Sequence, residues 1–294
     1  MKPCQNWKTE GIGKTITLVC AAILILVTLS IVYFIASKGL TTFFVNGVNI
    51  TQFLTDINWN PEGEPAEFGA LPFILGSFVV TIGAALLASP LGIGAAIFMT
   101  EIAPGWGQKI LQPVVELLVG IPSVVYGFIG LSVIVPFLRN SFGGLGFSLL
   151  AGILVLTIMI LPTITSLSVD TIRRVPRDLK EASLALGATR WQTIWKIIVL
   201  RSSLSGLLMA IIMGMARAFG EALAVQMVIG NTPKMPTSIL DPANTLTSGI
   251  TLNMGNTIAG SAYNNSLWSM GLLLLIMTFV FILLIRWIGK RREM

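Results

Sequence analysis

Long apolar stretches separated by polar segments divide the chain, and six of them are long enough to cross a membrane. A helix needs roughly 20 residues to span about 30 Å of hydrocarbon. Backbone groups in lipid must pair within a helix or a closed barrel, and the alternation expected of barrel strands is missing. The pattern predicts an all-α membrane protein with six transmembrane helices at residues 15–36, 72–99, 114–138, 147–167, 207–229 and 267–288.

The polar segments between these stretches define the domain organisation. A cytoplasmic N-terminal segment (1–14) precedes the first transmembrane helix (15–36) and an exterior loop (37–71). The transmembrane core (72–288) contains a cytoplasmic loop (168–205), and a cytoplasmic tail (289–294) follows it. Two long exterior segments, 37–71 and 230–266, are rich in Asn, Thr, Gly and Pro and lack helical periodicity. We expect ordered or partly ordered loops that either contact a partner or simply connect helices.

The positions of Lys and Arg predict the orientation of the chain. If both termini are cytoplasmic, 15 of the 19 basic residues fall in inner segments and Lys38, Arg139 and Lys234 fall outside, with Arg217 inside a span. Cytoplasmic loops carry an excess of Lys and Arg, so an even number of spans with both ends inside agrees with this bias. The net charge of +6 therefore reflects membrane topology better than nucleic-acid binding.

Composition excludes several kinds of chemistry. Charged residues make up 11% of the chain, against roughly 25% in a soluble domain, so lipid must surround much of it. The chain has no His, which removes His-based metal sites, proton relays and Ser-His triads. Cys4 and Cys20 form neither a metal-site pattern nor a disulfide framework. Gly11-Ile-Gly13-Lys14-Thr15 suggests a P-loop, but Lys8 stands where the motif needs its first Gly.

Prolines lie within three of the predicted spans. Pro90, Pro122 and Pro162 each remove a backbone donor and are expected to kink their helices. Kinks in three spans favour a bundle that moves or encloses a pathway, although membrane helices in general tolerate proline.

The fifth predicted span carries two charges beside a stripe of small residues. Gly206, Ala210, Gly214, Ala218 and Ala222 recur every four residues and would let another helix approach closely. Arg217 and Glu221 are four apart and are expected on one helical face. In one interpretation they neutralise each other and hold helices in register. In the other, Arg217 attracts an anion in a central pathway while Glu221 orients it and limits its charge.

The cytoplasmic loop is predicted to contain two short helices joined at Gly187. Asp178-Leu-Lys-Glu181 has the pattern of a capping box, and Gly187 is expected to end the first helix. Thr189-Arg-Trp-Gln192 is a second capping box, which opens a helix with Trp191, Ile194, Trp195 and Ile198 on its apolar side. The loop would either present small and aromatic residues to a partner protein or lie on anionic lipid.

The segment Glu181-Ala-Ser-Leu-Ala-Leu-Gly187-Ala, with Ile197 ten residues after Gly187, resembles the EAA motif of ABC importer permeases. Ser183 replaces the second Ala of that motif, and Leu200 stands where Pro is usual. The resemblance implies a coupling helix that docks into a groove of a cytosolic ATPase, through Glu181, Ala182, Ser183, Gly187, Ala188 and Ile197.

Four further segments, which begin at Gly69, Phe98, Glu116 and Ala216, resemble the PstC-type permease subunit of phosphate-specific ABC importers. The resemblance implies a Type I importer permease (MetI-like) fold and a role in phosphate translocation for Arg217 and Glu221. It also implies three partners, namely a PstA-type permease, a PstB-type ATPase dimer that binds ATP and Mg, and an exterior PstS-type phosphate-binding protein.

The chain is accordingly expected to be a transport subunit in a bacterial plasma membrane, with no enzymatic activity, cofactor or metal of its own. Alternatives left open by the sequence are a permease for another oxyanion, an ion-coupled secondary anion transporter, and a membrane scaffold or receptor.

Overall fold

The computed structural model describes residues 7–103, 105 and 107–290, and these are mainly helical. The helices in chain order are α1 (Trp7–Phe44), α2 (Ile50–Thr55), α3 (Leu71–Ile97), α4 (Gln112–Val119), α5 (Ser123–Ile129), α6 (Val135–Phe142), α7 (Leu149–Arg173), α8 (Arg177–Ala185), α9 (Arg190–Gln192), α10 (Leu204–Phe219), α11 (Leu223–Gln226), α12 (Leu246–Asn253) and α13 (Ala262–Lys290). An antiparallel hairpin pairs β1 (Trp59–Asn60) with β2 (Glu67–Phe68). Cys4 and the tail after residue 290 lie outside the described residues.

Four π-helical segments extend or join these helices. Phe98–Ile102 continues α3, Gly107–Leu111 precedes α4, Gly130–Ile134 joins α5 to α6, and Thr193–Ser202 continues α9. Within the described residues, five helical segments are long and apolar enough to cross a membrane, and a sixth span results if the bent pair Arg190–Val199 and Leu204–Phe219 counts as one. The predicted all-α membrane fold is confirmed.

The third predicted span, residues 114–138, is broken in the structure. Helix α4 ends at Val119, and α5 begins at Ser123 after Pro122. Pro90 and Pro162, in contrast, lie inside the continuous helices α3 and α7. Of the three prolines, Pro122 is therefore the one that coincides with a break.

The fifth predicted span, residues 207–229, is also wrong as a continuous helix. Helix α10 ends at Phe219, and its 16 residues cover about 24 Å, less than the hydrocarbon thickness of about 30 Å. The chain turns at Gly220 and re-forms a short helix, α11. The small-residue stripe was predicted to let another helix approach closely, and that helix is α7, because an added Cβ at Gly214 would meet the side chain of Ile164 at 2.6 Å.

The two segments predicted as exterior loops contain regular structure. Residues 37–71 hold the end of α1, helix α2 and the β-hairpin. Residues 230–266 hold α12, which begins with a capping box formed by Thr245 and Ser248 and whose Leu246 is fully buried. The expectation of segments without helix was wrong because these helices have only six and eight residues, which is too short for an amphipathic period to mark them.

Apolar clusters lie at two opposite ends of the bundle. At one end, the start of α3 and the start of α13 meet α2 and α12 through Phe53, Phe73, Leu246, Leu267 and Met270. At the other end, the C-terminal parts of α3 and α7 pack on the loop after α8 and on the start of α10, through Ile97, Ile172, Ile194, Ile198 and Leu207. The loop that was predicted to be cytoplasmic thus lies at the end away from α2 and the hairpin.

The N-terminus of α7 is bonded to the segment that follows α11. The backbone N–H groups of Leu149 and Leu150 donate to the carbonyls of Asp241 and Ile239, at 3.0 and 2.8 Å. The carboxylate of Asp241 accepts bonds from the Thr237 hydroxyl and from the Ser238 and Thr237 amides, which together lower the pKa of Asp241 below its usual range. This turn supplies acceptors for helix amides that have no partner within α7.

Substituting Gly76 by Ala tests the close approach of α3 to the segment before α12. A Cβ at Gly76 would lie 2.0 Å from the carbonyl oxygen of Asn244, whereas a Cβ at Gly94 on the same helix meets nothing within 4 Å. We expect Gly76→Ala to destabilise the protein by about 1–3 kcal/mol and Gly94→Ala to have little effect. Thermal unfolding in detergent measures both, and equal midpoints for the two variants would contradict this packing.

Candidate functional site

The breaks in the third and fifth spans lie side by side. Helix α5, which follows the first break, packs on α11, which follows the second, and an added Cβ at Gly127 would lie 3.0 Å from the Cα of Ala224. Non-helical backbone at membrane depth is tolerated only where protein or a water-filled cavity surrounds it. Broken helices of this kind form substrate sites in transporters, so the paired breaks mark the candidate site.

Arg217 joins the two breaks. It lies in the last turn of α10, and its Nη1 donates to Thr163 Oγ1 of α7 at 2.9 Å. Its Nη2 donates to the carbonyl of Val119, the last residue of α4, at 3.4 Å. The C-terminal end of a helix carries partial negative charge, so this position favours a cation. Arg217 therefore links three helices where two of them end.

Glu221 does not pair with Arg217, contrary to the expectation from their spacing. Helix α10 ends at Phe219, so the two residues do not share a helical face. Glu221 Oε1 instead accepts a bond from the amide of Ala224 at 3.2 Å, and its carbonyl accepts one from Thr247 Oγ1 at 2.7 Å. Across the described residues, the ion pair within 4.0 Å is Lys180–Glu101. Mutual neutralisation of Arg217 and Glu221 would need a contact that the structure does not contain.

The guanidinium of Arg217 has donors left for a ligand. It carries five N–H groups in a fixed planar arrangement, and the described contacts use two of them. The Tyr126 hydroxyl is not one of its described partners and donates to the carbonyl of Leu118 at 2.8 Å. Since no described carboxylate contacts the guanidinium, the site keeps a positive charge that suits an oxyanion.

The loop after α7 forms two helical arms joined at Gly187, which we call the elbow (residues 177–202). The first arm, α8, begins at Arg177 after Pro176 with no side-chain cap, so the predicted cap at Asp178 is wrong. Pro176 stands at the N-cap, and its ring fixes φ near −58°, which leads the chain into the helix at Arg177. Gly187 has φ +83°, and the amides of Gly187 and Ala188 bond back to Leu184 and Ser183. This is a Schellman motif, so Gly187 ends the arm as predicted.

The second arm begins with the predicted capping box. Thr189 Oγ1 accepts the amide of Gln192 at 3.2 Å, and Gln192 Oε1 accepts the amide of Thr189 at 2.9 Å. The two arms are joined by a buried hydrogen bond of 2.9 Å between the hydroxyls of Ser183 and Thr193. Ser183, which replaces the second Ala of the EAA motif, thus holds the two arms together.

The elbow has one buried face and one exposed face. Ile194 and Ile198 are buried, whereas Trp191 and Trp195, which were expected beside them, are exposed. Leu186 at the tip is 89% exposed. Among the predicted coupling residues, Ser183 is buried and Ala188 and Ile197 are half-buried, while the others, Glu181, Ala182 and Gly187, are exposed. The exposed face therefore offers apolar and aromatic groups to whatever lies against it.

Glu101 is a structural contact that sequence reasoning missed. It lies in the π-helical turn that continues α3, and its Oε1 contacts Lys180 Nζ of the first arm at 2.5 Å. Arg190 of the second arm donates to its backbone carbonyl. The chain separates Glu101 from these residues by about 80 to 90 positions, so no local spacing indicates the contact.

Comparisons with known proteins agree on the kind of molecule. The model of the family described as "Binding-protein-dependent transport system inner membrane component" matches residues 88–294. The probable ABC transporter permease protein YqgH of Bacillus subtilis (strain 168) is 60% identical, with 98% of this chain and 94% of that protein covered. The phosphate transport system permease protein PstC of Mesorhizobium japonicum is 37% identical, with 92% and 87% covered.

The fold is shared with a solved transporter. The crystal structure of a bacterial alginate ABC transporter in complex with an alginate pentasaccharide-bound periplasmic protein matches with a TM-score of 0.66 and 15% identity, and 98% of each chain is covered. At this identity the likeness shows the fold alone, and it confirms the predicted ABC permease fold.

Replacing Thr163 by Val tests the placement of Arg217. The substitution removes the acceptor for Nη1 and leaves the shape of the side chain, so we expect a loss of about 1.5–3 kcal/mol of unfolding free energy. Thr157→Val is the matched control on the same helix, because the Thr157 hydroxyl bonds only to the carbonyl of Ile153 in its own helix. Denaturant unfolding in detergent gives both values. Equal losses would show that Thr163 does not hold the guanidinium.

Proposed function

Because the chain belongs to the family of binding-protein-dependent transport system inner membrane components, we propose that it is the permease subunit of an ATP-driven phosphate importer. The chain is a transport subunit and not an enzyme. The likeness to the phosphate permease over 92% of the chain supports phosphate as the substrate. The observation that carries the proposal is Arg217, a cation with spare donors between two broken helices.

Arg217 and Glu221 would act differently in the substrate pathway. An oxyanion such as phosphate has several acceptor oxygens that match the planar donors of a guanidinium. A single such group attracts the anion but holds it weakly, which suits release to the other side. Glu221 shapes the pathway through its bonds to Ala224 and Thr247 and does not serve as a counter-ion. Selection of the substrate would rest mainly with an exterior binding protein.

The assembly we propose has three further components. A PstA-type permease would pair with this chain about a pseudo-twofold axis. It would close the pathway on the side where the half-buried Arg217 is still partly exposed. A PstS-type phosphate-binding protein would deliver the substrate at the end that holds α2 and the β-hairpin. A PstB-type ATPase dimer would bind ATP and Mg and contact the elbow, with both termini of this chain on the ATPase side, as the distribution of basic residues indicates.

The mechanism we propose is alternating access. Closure of the ATPase dimer around ATP would move the elbow and rotate the spans, so that the pathway faces the binding protein and receives phosphate. ATP hydrolysis would return the pathway to the inside. The exposed Leu186, Trp191 and Trp195 supply an apolar surface for the ATPase contact, which the chain alone leaves in water.

Arg217→Gln tests the pathway. We expect phosphate uptake by the complete complex in liposomes to fall by about tenfold to a hundredfold, because a charged hydrogen-bonding group contributes about 1.5–3 kcal/mol. Arg217→Lys keeps the charge without the planar donors, so its phosphate uptake should lie between that of Arg217→Gln and that of the native protein. Labelled phosphate uptake with and without ATP is the measurement.

The control for this variant is Arg139→Gln, since Arg139 is exposed in α6, 17 residues after Pro122, and its described side-chain bond goes to the carbonyl of Leu145. It should leave uptake unchanged. If Arg217→Gln transports as well as the native complex, Arg217 is not part of the pathway. If the native complex takes up no phosphate but accumulates another oxyanion, the proposed substrate is wrong.

Leu186→Glu tests the contact with the ATPase. Because this side chain is 89% exposed, the substitution should change the stability of the chain by no more than about 0.5 kcal/mol. Burial of a charge in an interface should nevertheless reduce copurification of the ATPase strongly. Ile258→Glu, at an 82% exposed site near the start of α13, is the matched control. Undiminished copurification of the ATPase with Leu186→Glu would contradict the docking surface.

A further inference from the structure

The π-helical turn that continues α3 makes polar contacts with both arms of the elbow through one residue, Glu101. We infer that Glu101 is the positioning residue that passes the movement of the elbow to the substrate pathway, with α3 as the connecting element. The inference rests on the proposed function, because it assigns a route for the work of the ATPase.

Both arms of the elbow converge on Glu101 through different atoms. Lys180, on the first arm, contacts the carboxylate at 2.5 Å, and Arg190, on the second arm, donates to the backbone carbonyl. The side chains of Lys180 and Glu101 are 25% and 12% exposed, so salt screens this pair less than it screens a pair on the surface. A displacement of either arm therefore acts on the same point of α3.

The elbow is built to move as one unit. The hydroxyl bond between Ser183 and Thr193 joins the arms across their buried faces. The turn between them is fixed by the Schellman motif at Gly187 on one side and by the capping box at Thr189 on the other. Since these bonds close the turn on itself, force applied at the exposed face reaches Glu101 and is not absorbed within the turn.

Helix α3 carries the contact through the length of the bundle. It runs parallel to α7 at close range, because a Cβ added at Gly83 or Gly92 would meet Ile153 or Ile164 at about 2.8 to 3.0 Å. Near its other end, Ser77 Oγ accepts the amide of Leu246 at 2.9 Å.

Thr247, the residue after Leu246, connects this end of α3 with the site. Thr247 donates to the carbonyl of Glu221 at the second helix break. A continuous series of packed and hydrogen-bonded groups therefore connects Glu101 with the break beside Arg217, which is the kind of network that carries coupling between sites.

An open cleft lies beside the ion pair. Glu101 and Lys180 line this cleft, of about 380 Å³, together with Arg173, Arg177 and Glu181. The bond from Arg190 goes to the backbone carbonyl of Glu101 and does not depend on the carboxylate. A change to the carboxylate or to Lys180 therefore alters one polar contact between the elbow and this turn and leaves the other in place.

The test uses the complete complex in liposomes and measures ATP hydrolysis and phosphate uptake in the same vesicles. We expect Glu101→Gln and Lys180→Met each to lower the phosphate taken up per ATP by about tenfold, within the usual range of coupling between sites. Hydrolysis and copurification of the ATPase should stay within about twofold of the native complex. The exchanged pair Glu101→Lys with Lys180→Glu should restore at least half of the native ratio. Asp170→Asn, an exposed carboxylate near the end of α7, is the control and should leave the ratio unchanged.

Three outcomes would overturn the inference. One is an unchanged ratio in the single variants. Another is a lowered ratio that the exchanged pair does not restore. The third is loss of ATPase copurification, which would show that the pair serves assembly. If the native complex itself takes up no phosphate, the proposed function fails before these variants are compared, so the two failures are distinguishable.

Discussion

Every peptide group at a helix break inside a membrane must find a partner in the protein or in a water-filled cavity, and this requirement organises the centre of the bundle. An unsatisfied backbone group in hydrocarbon costs several kcal/mol. Here the carbonyl at the end of α4 is satisfied by Arg217, and the amide of Ala224 after the end of α10 is satisfied by Glu221. Arg217 and Glu221, which one interpretation of the sequence paired with each other, instead stabilise two separate breaks.

This use of the charges has an electrostatic result. A guanidinium paired with a carboxylate would attract an anion weakly, whereas one bonded to a hydroxyl and a carbonyl keeps its full charge. The same contacts that make the breaks possible therefore leave the cation available. Arg217, whose guanidinium bonds the carbonyl at the end of α4, thus both stabilises the break and supplies the positive charge of the site.

Much of the fold could be predicted from hydropathy, but the breaks could not. The continuous helices α3 and α7 agree with the predicted spans because one apolar run covers the membrane thickness in each. Residues 114–138 and 207–229 also read as apolar runs, yet each contains a break whose backbone groups are satisfied by residues distant in sequence, such as Val119 by Arg217. Proline marked one break, but the turn at Gly220 has no comparable signal.

The elbow shows the same division between local and distant information. Gly187 and the Thr189 capping box were predicted because their bonds join residues within five positions of each other. The contacts with Glu101 were not, because they depend on how the end of α3 meets the loop. The capping residue of the first arm was misassigned for a local reason, since Pro176 occupies the N-cap position and has no side-chain acceptor.

The turn that caps α7 has a consequence for how related proteins can diverge. Its bonds to Leu149 and Leu150 come from main-chain carbonyls of residues 239 and 241. The side chain of Ile239 is exposed and takes no part in them, whereas the carboxylate of Asp241 holds the turn in shape. Variation at Ile239 can therefore alter the outward surface of this turn while Asp241 and the anchor of α7 are retained. A proline at position 150 would remove the amide that bonds to the carbonyl of residue 239, because proline has no N–H. A change in the length of the turn would displace both carbonyls from the start of α7.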